Sequence, residues 1–415
     1  MVKDMELYRH LLGIVEPWTV DRVEMNPTEH RVDVWAVHPA EVHWPCPDCG
    51  QSLSLFDHAE ERRWRHLDSC HFQTYLHARV PRVECPEHGK IQVRVPWAEP
   101  SSRFTALFER WSIQVMQETD TAAAAQLLGI SWDEAWGIQE RAVARGLAAK
   151  PPRALRQMGV DEKSVGHGQQ YMSLVYNLEK STVEWVGEGR KKETLDGFFQ
   201  SLTFEQRTAI EAVGLDMGDP FIASIQEHVP GAREKMVFDR FHIAKHANEG
   251  VDKVRKSENR ALWKDGDPTL KGSKYLWLYR GENLPEKHRD RFAALQALHL
   301  KTGRAYALKE APADLWGYPS AGWARKYWAR WYFWATHSRL LPMMDVARMV
   351  KEHLVGVMNY FTHRIPNAVA EGLNSKIATI QKMAYGFRNK AHFRTAVLFR
   401  CGGLPLYPRT PEISG

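Results

Sequence analysis

The stretch AVGLDMGDPF (residues 212–221) is an apolar run that stops at Asp216 and restarts behind Asp219-Pro220. Aspartate is a poor strand residue, and one at the end of a buried strand must be hydrogen-bonded, charge-paired or metal-bound. The stretch alone leaves all three open. Asp219 has a simpler account, because Asp before Pro suits an N-cap and the first helical position. Strand-like runs lie on both sides: RQMGVD, YMSLVYNL and TVEWVGE before it and REKMVFD after it. Helices are expected near 192–201, from Asp219 and from about Phe241. Three strands on short linkers predict antiparallel pairing, and two more that arrive through helices predict parallel pairing.

That order suits a ribonuclease-H-like α/β fold. Three of its strands are expected to end in an acid: Asp161, Asp216 and Asp239. Downstream, IPNAVAEGLNSKIATIQKMAYG places Glu371 on a helix. Leu373, Ile377, Ile380 and Ala384 recur there as one apolar stripe, and Glu371, Ser375, Ala378 and Lys382 share the opposite face. The stripe can pack on the flank of the sheet while Glu371 leans over the strand ends. Each acid alone fits a cap, an ion pair or a solvated surface. Together they fit phosphodiester cleavage, in which two metal ions about 3.5–4 Å apart stabilise the attacking and leaving oxygens. Mg²⁺ (or Mn²⁺) is a hard ion bound by oxygens. Asp161 is expected to bridge both ions, with Asp216 on one and Glu371 on the other.

The 415-residue chain, 44% hydrophobic and 26% charged, reads as globular with several domains. No run approaches the roughly 20 apolar residues of a membrane span, and MVKDMELYRHLLGIVEPW lacks the apolar core of a secretory signal. Five cysteines are too few and too uneven for a disulfide scaffold, so a cytoplasmic location is expected. Expected boundaries are a zinc-binding segment 1–100, a helix–turn–helix 101–150 closed by Pro151-Pro152, core 155–256, a helical insertion 257–365 and a last core helix with a basic tail, 366–400.

WPCPDCGQS and PRVECPEHGK set Cys46, Cys49, Cys85 and His88 in two matching knuckles, the spacing of one closed tetrahedral Zn²⁺ site. About 35 residues separate the knuckles, so two hairpins are expected between them; Cys70-His71 in that gap could substitute as ligands. Cys401 reads as packing. TDTAAAAQLLGISWDEAWGIQERAV reads as helix–turn–helix, with Leu127 and Leu128 in its core, Gly129 at the turn and Ser131 capping a second helix. Trp132, Gln139, Arg141 and Arg145 on that helix are candidate DNA contacts. From Gly372 to Pro411 there is no acid, while Lys376, Lys382, Arg388, Lys390 and Arg394 alternate with Tyr385, Phe387 and Phe393. A solvated basic face would look the same, but interleaved aromatics favour a surface that meets DNA phosphates.

These pieces together resemble the DDE transposases of the ISL-three family of bacterial insertion sequences. The resemblance is carried by CPDCG…RRWRHLD…ARVPRVECPEHG, PWAEPSSRFT, GVDEKSVGHGQQYMSLVYNLE, LDMGDPF, VFDRFHIAKHANEGVDKVR and NAVAEGLNSKIATIQKMAYGFRNKAHFR. It implies a DDE triad at Asp161, Asp216 and Glu371, an N-terminal zinc ribbon, a helix–turn–helix, and a helical insertion within the roughly 155 residues between Asp216 and Glu371. His88 stands where many relatives carry cysteine. The D-x-F-H pattern also brings Asp239 and His242 near the site, Asp239 as a competing ligand and His242 as a phosphate or supporting contact. Implied partners are double-stranded DNA (the terminal inverted repeats and the target) and a second copy of the chain, in a dimer or larger assembly at the bacterial nucleoid. A catalytically inactive DNA-binding regulator and a nuclease without strand transfer are the alternatives.

Overall fold

The computed structural model describes residues 4–152, 155–166, 170–365 and 367–409. The chain divides into two compact units, Met1–Pro151 with Gly403–Gly415, and Pro152–Gly402.

The first unit is built on a six-stranded sheet: β1 (Thr19–Asn26), β2 (Arg31–Val37), β3 (His43–Pro45), β4 (Ser52–Arg65), β5 (Gln73–Cys85) and β6 (Gly89–Gln92). The order is β1-β2-β5-β4-β3, with β6 also on β5. Its core centres on Trp18, Trp44, Trp64 and Trp97. Between the two knuckles lies one long antiparallel hairpin, β4–β5, and not two. Three helices follow, Ala106–Glu118, Thr121–Leu128 and Trp132–Ala148. Gly129 closes the second with φ 64°, and Ser131 with Glu134 makes a capping box on the third. Leu128 is buried as expected, but Leu127 is 71% exposed.

The segments expected as two domains meet in one unit: Arg65 at the end of β4 bridges to Phe104, and His66 Nδ1 lies 2.8 Å from Thr105 Oγ1. The end of the chain also belongs here. Leu404 fills the space a side chain at Gly146 would need, where an added Cβ would come within 2.7 Å of it, and the Tyr407 hydroxyl lies 3.2 Å from Gln117 Oε1.

The second unit holds a five-stranded sheet of β7 (Gln157–Ser164), β8 (Tyr171–Asn177), β9 (Thr182–Glu188), β10 (Ala212–Leu215) and β11 (Met236–Phe238). The order is β11-β10-β7-β8-β9. β7, β8 and β9 pair antiparallel, while β7, β10 and β11 pair parallel. The helices Lys192–Gln200 and Asp219–His228 make the expected crossovers, although Gly218 holds the N-cap and Asp219 is the first helical residue. Asp161 does not end its strand. Pairing with β10 stops at Gly159, but the hairpin to β8 continues to Ser164, so Asp161 sits where β7 has lost one neighbour and kept the other.

After β11 the chain is helical as far as His363. The helix Arg240–Lys264 runs unbroken through the expected boundary at 256/257. Trp277, Trp328, Trp331 and Val357 belong to the same hydrophobic cluster as Met158, Val213 and Phe238 of the sheet. The helix Leu354–His363 packs directly on β11, its Asn359 amide donating to the carbonyl of Met236 at 2.8 Å. Two helices then follow, Asn367–Met383 and Lys390–Cys401; Pro366 itself lies outside the described residues. Leu373, Ile377 and Ile380 are buried as the stripe predicts, whereas Ala384 lies past the helix end and is exposed. The expected basic tail folds as an amphipathic helix with Phe393 and Val397 fully buried.

Candidate functional site

Parallel register builds the site in the second unit. Gly214 of β10 faces Gly159 of β7, and Leu215 faces Phe238 of β11. Continuing each ladder sets Asp216 beside Asp161 on one side and Asp239 on the other. Strands about 4.8 Å apart place such residues in one row. Asp161, Asp216, Asp239 and His242 accordingly line one pocket, together with Ile365 and Ala370. Glu371, the next residue, is exposed and near enough for its charge to act on Asp239.

Asp161 and Asp216 are held on both oxygens, Asp239 by the backbone of its own helix. Asp161 accepts from the amide of Glu162 at 2.7 Å and from Asn374 Nδ2 at 2.6 Å. Asp216 accepts from the amide of Met217 at 2.6 Å, and its other oxygen lies 2.9 Å from His242 Nδ1. Asp239 caps its helix through the amide of Phe241 at 2.7 Å and stands 4.0 Å from His242 Nε2. Burial opposes ionisation of Asp216, yet the His242 hydrogen bond and charge outweigh it and hold the carboxyl below its usual range. The Asp216 hydrogen bond in turn raises His242. Asp239 is pushed up by burial, with Glu371 and Asp161 adding like charge. No lysine or arginine lines the pocket among the described residues. Hard oxygen donors under mutual repulsion, balanced by one histidine, are a donor set that fits a divalent cation.

The zinc knuckles close on each other. Cys46 and Cys49 flank the turn between β3 and β4, whose Gly50 has φ 76°; Cys85 and His88 flank the turn between β5 and β6, with Gly89 at φ 68°. Their four ligand atoms all lie within 4.8 Å of one another. Cys49 Sγ to Cys85 Sγ is 3.7 Å, and His88 Nδ1 lies 3.5 Å from Cys85 Sγ and 3.8 Å from Cys46 Sγ. Tetrahedral Zn²⁺ sets such edges at about 3.8 Å for sulfur pairs and about 3.6 Å for sulfur–nitrogen pairs. The site fits zinc. Cys70, exposed at the far tip of the β4–β5 hairpin, is not part of it, nor is His71.

The expected DNA contacts separate. Gln139 is 2% exposed and gives its amide to Thr121 Oγ1 at 3.1 Å. Arg141 and Arg145 turn inward to Glu109, at 2.5 and 3.5 Å, and Arg145 also pairs with Glu99 at 3.0 Å. Glu109 is 1% exposed, so these arginines neutralise a buried acid and are not placed to read bases. Trp132 is 42% exposed at the start of the same helix. Lys376, Lys382, Arg388 and Arg394 are exposed, while Lys390 pairs with Glu188. The sequence reading missed Asn374, one turn beyond Glu371; an asparagine on the face that meets a sheet acid was the available signal.

Comparison with known proteins places these features in a family. Residues 158–397 match the transposase model of the ISL3 family, residues 43–88 the zinc-finger of transposases IS204/IS1001/IS1096/IS1165, and residues 93–143 the helix-turn-helix domain of transposase family ISL3. The transposase for insertion sequence element IS1001 of Bordetella parapertussis is 26% identical over 386 residues, covering 92% of this chain and 95% of that relative. The transposase for insertion sequence element IS1557 of Mycobacterium tuberculosis is 27% identical over 450 residues, covering all of both. With an acid-lined pocket in one unit and a zinc ribbon joined to a helix-turn-helix in the other, this chain belongs to the ISL3 family of insertion-sequence transposases.

Proposed function

We propose that Asp161, Asp216 and Glu371 are the acidic triad of a ribonuclease-H-like core that cuts DNA at the element ends and joins the freed 3′-hydroxyl to target DNA. The row of acids across β7, β10 and β11 carries this reading. The sheet order, with three antiparallel strands followed by two parallel ones, supports the fold assignment, as does the helical stretch between β11 and the Glu371 helix. Mg²⁺ or Mn²⁺, two ions per site, held by Asp161, Asp216 and Glu371 would supply the clamp on the attacking and leaving oxygens. His242 keeps Asp216 ionised and oriented, and Asp239 fixes the start of the helix that carries His242. Zinc ribbon and helix-turn-helix grip the terminal inverted repeats, with Trp132 at the DNA-facing end of its helix. Lys376, Lys382, Arg388 and Arg394 meet phosphates. Joining two ends takes two catalytic sites, so the working form is a dimer or larger assembly on DNA, at the nucleoid.

The test is nicking of labelled end DNA with Mg²⁺ and Mn²⁺, beside a gel shift on the same proteins. Asp161→Asn, Asp216→Asn and Glu371→Gln should each lose cleavage and strand transfer by several orders of magnitude while binding ends normally. Asp239→Asn should be less affected. Near-normal nicking by Glu371→Gln removes it from the triad, and a dead Asp239→Asn beside an active Asp216→Asn moves the second ligand to Asp239.

A further inference from the structure

Beside the acid pocket, a groove begins at Phe241, two residues past Asp239. Phe241, Ala244, Lys245 and Asn248 recur at helical spacing along the Arg240–Lys264 helix and form one wall; Lys274 and Leu278 of the short helix Lys274–Leu278 form the other. The concavity, open to solvent, measures about 300 Å³, at the lower end of the range of roughly 300–1,000 Å³ typical of ligand sites. Phe241 is 58% exposed although its own amide is fixed to Asp239. An aromatic ring is thus presented to solvent on a rigid backbone next to the reacting groups. The side-chain carbonyl of Asn248 is buried with no hydrogen-bond partner, an unmet capacity that native structures rarely leave without a reason. Lysines stand on both walls. Of the acids nearby, Asp252 is spent on Arg255 and Lys256 at 2.8 and 2.9 Å, and Glu249 faces His246 at 3.9 Å.

We propose that this groove holds an unpaired nucleobase of the DNA strand being cut or joined. Phe241 stacks on the face of the base, the Asn248 amide turns from its buried position to meet its edge, and Lys245 and Lys274 meet the flanking phosphates. Stacking on an aromatic ring with cations alongside is how proteins hold single strands whatever their sequence, and an asparagine amide matches the paired donor and acceptor of a base edge. A base taken from its stack frees the adjoining phosphate to enter a recessed pocket. A second copy of the chain is the poorer occupant, because a two-fold contact centred here would bring the lysine-bearing walls of both copies together. The inference rests on the reading of the Asp161–Asp216 pocket as the place where the phosphodiester reacts.

The experiment compares full-length protein on two duplexes of one sequence, one fully paired and one with its terminal pairs splayed. The ratio of the two Kd values reads the groove and cancels the contribution of the helix-turn-helix. Wild type should prefer the splayed end by about tenfold. Phe241→Ala should bring the ratio near one, Phe241→Tyr should keep it, and 5-iodouracil in the splayed strand should cross-link to the peptide containing Phe241. A ratio unchanged in Phe241→Ala, a cross-link mapped outside the groove, or a Phe241→Ala protein that loses self-association and keeps its ratio would each overturn the proposal. Wild-type nicking by Asp161→Asn would bring down the active-site reading instead, while leaving the ratio as it was, so the two failures are told apart.

Discussion

Asn374 donates from Nδ2 to Asp161 Oδ2 at 2.6 Å and accepts from the hydroxyl of Tyr176, a fully buried residue of β8, at 2.8 Å. One asparagine thus ties the Glu371 helix to two strands of the sheet and fixes an oxygen of Asp161. Asn374→Ala strands a buried hydroxyl, which costs about 1–3 kcal/mol, and loosens the helix that carries Glu371. Urea denaturation should register that loss, and nicking should fall while end binding stays. Wild-type nicking by Asn374→Ala would show that the tether does not set the site.

The four knuckle side chains fit one zinc, so freshly purified protein should carry about one zinc per chain. Cys49→Ser should release it and open the β3–β4 and β5–β6 turns to protease. The second unit, whose core contains none of these residues, should resist as before. Elemental analysis without zinc would sink this expectation.

His66 gives the first unit an acid limit. Burial, against a hydrogen bond to the Leu11 backbone that works the other way, lowers its pKa to about 4, whereas an unfolded histidine titrates near ~6.5. Between those values the unfolded chain takes up a proton that the folded chain refuses. The neutral ring's contribution is complete above about 6.5 and is lost as pH falls toward 4, at most about 3 kcal/mol. His66→Gln should flatten that limb. Stability of the zinc-loaded protein measured against pH, variant minus wild type, is the check.

Arg141→Ala should damage the fold before it damages recognition. Glu109 would keep Arg145 and the Ser102 hydroxyl at 2.8 Å but lose its shortest ion pair, at a cost of about 2–4 kcal/mol. Gln139→Ala should likewise lower stability and leave the preference for element ends over random DNA unchanged. A lost preference in a fully stable Gln139→Ala protein would return that residue to the DNA surface.

The catalytic sheet was legible because β7, β8 and β9 are short apolar runs between clear turns, and because linker length alone separates hairpins from crossovers. The end of β7 was not: only pairing shows that β8 carries the strand past Asp161. The β4–β5 hairpin hid for a related reason. SLSLFDHAEERRWR shows little alternation, and its register slips between Leu55 and Asp57 and between His58 and Glu61, so period-2 patterning breaks in the middle of a strand. Among site residues, the acids announce themselves by position, and the zinc ligands by spacing. Gln139 and Arg141 misled because a polar side chain was taken to face outward, although Gln139 shares the buried face of Ala135, Ala142 and Val143, and because the acid that claims Arg141 lies 32 positions away.

The first unit is interrupted by the second: its sequence stops at Pro151 and resumes at Gly403, where Leu404 closes on Gly146 and Tyr407 on Arg110 and Gln117. During synthesis, the DNA-gripping part cannot be finished until the ribosome has released residues that follow the whole catalytic part. A shortened product that stops before Gly403 should therefore be a weak competitor for element ends, although it contains every zinc ligand and the entire helix-turn-helix. Comparing end binding by residues 1–402 with that of the full chain puts the point to the test: equal affinity would mean that the returning segment is dispensable.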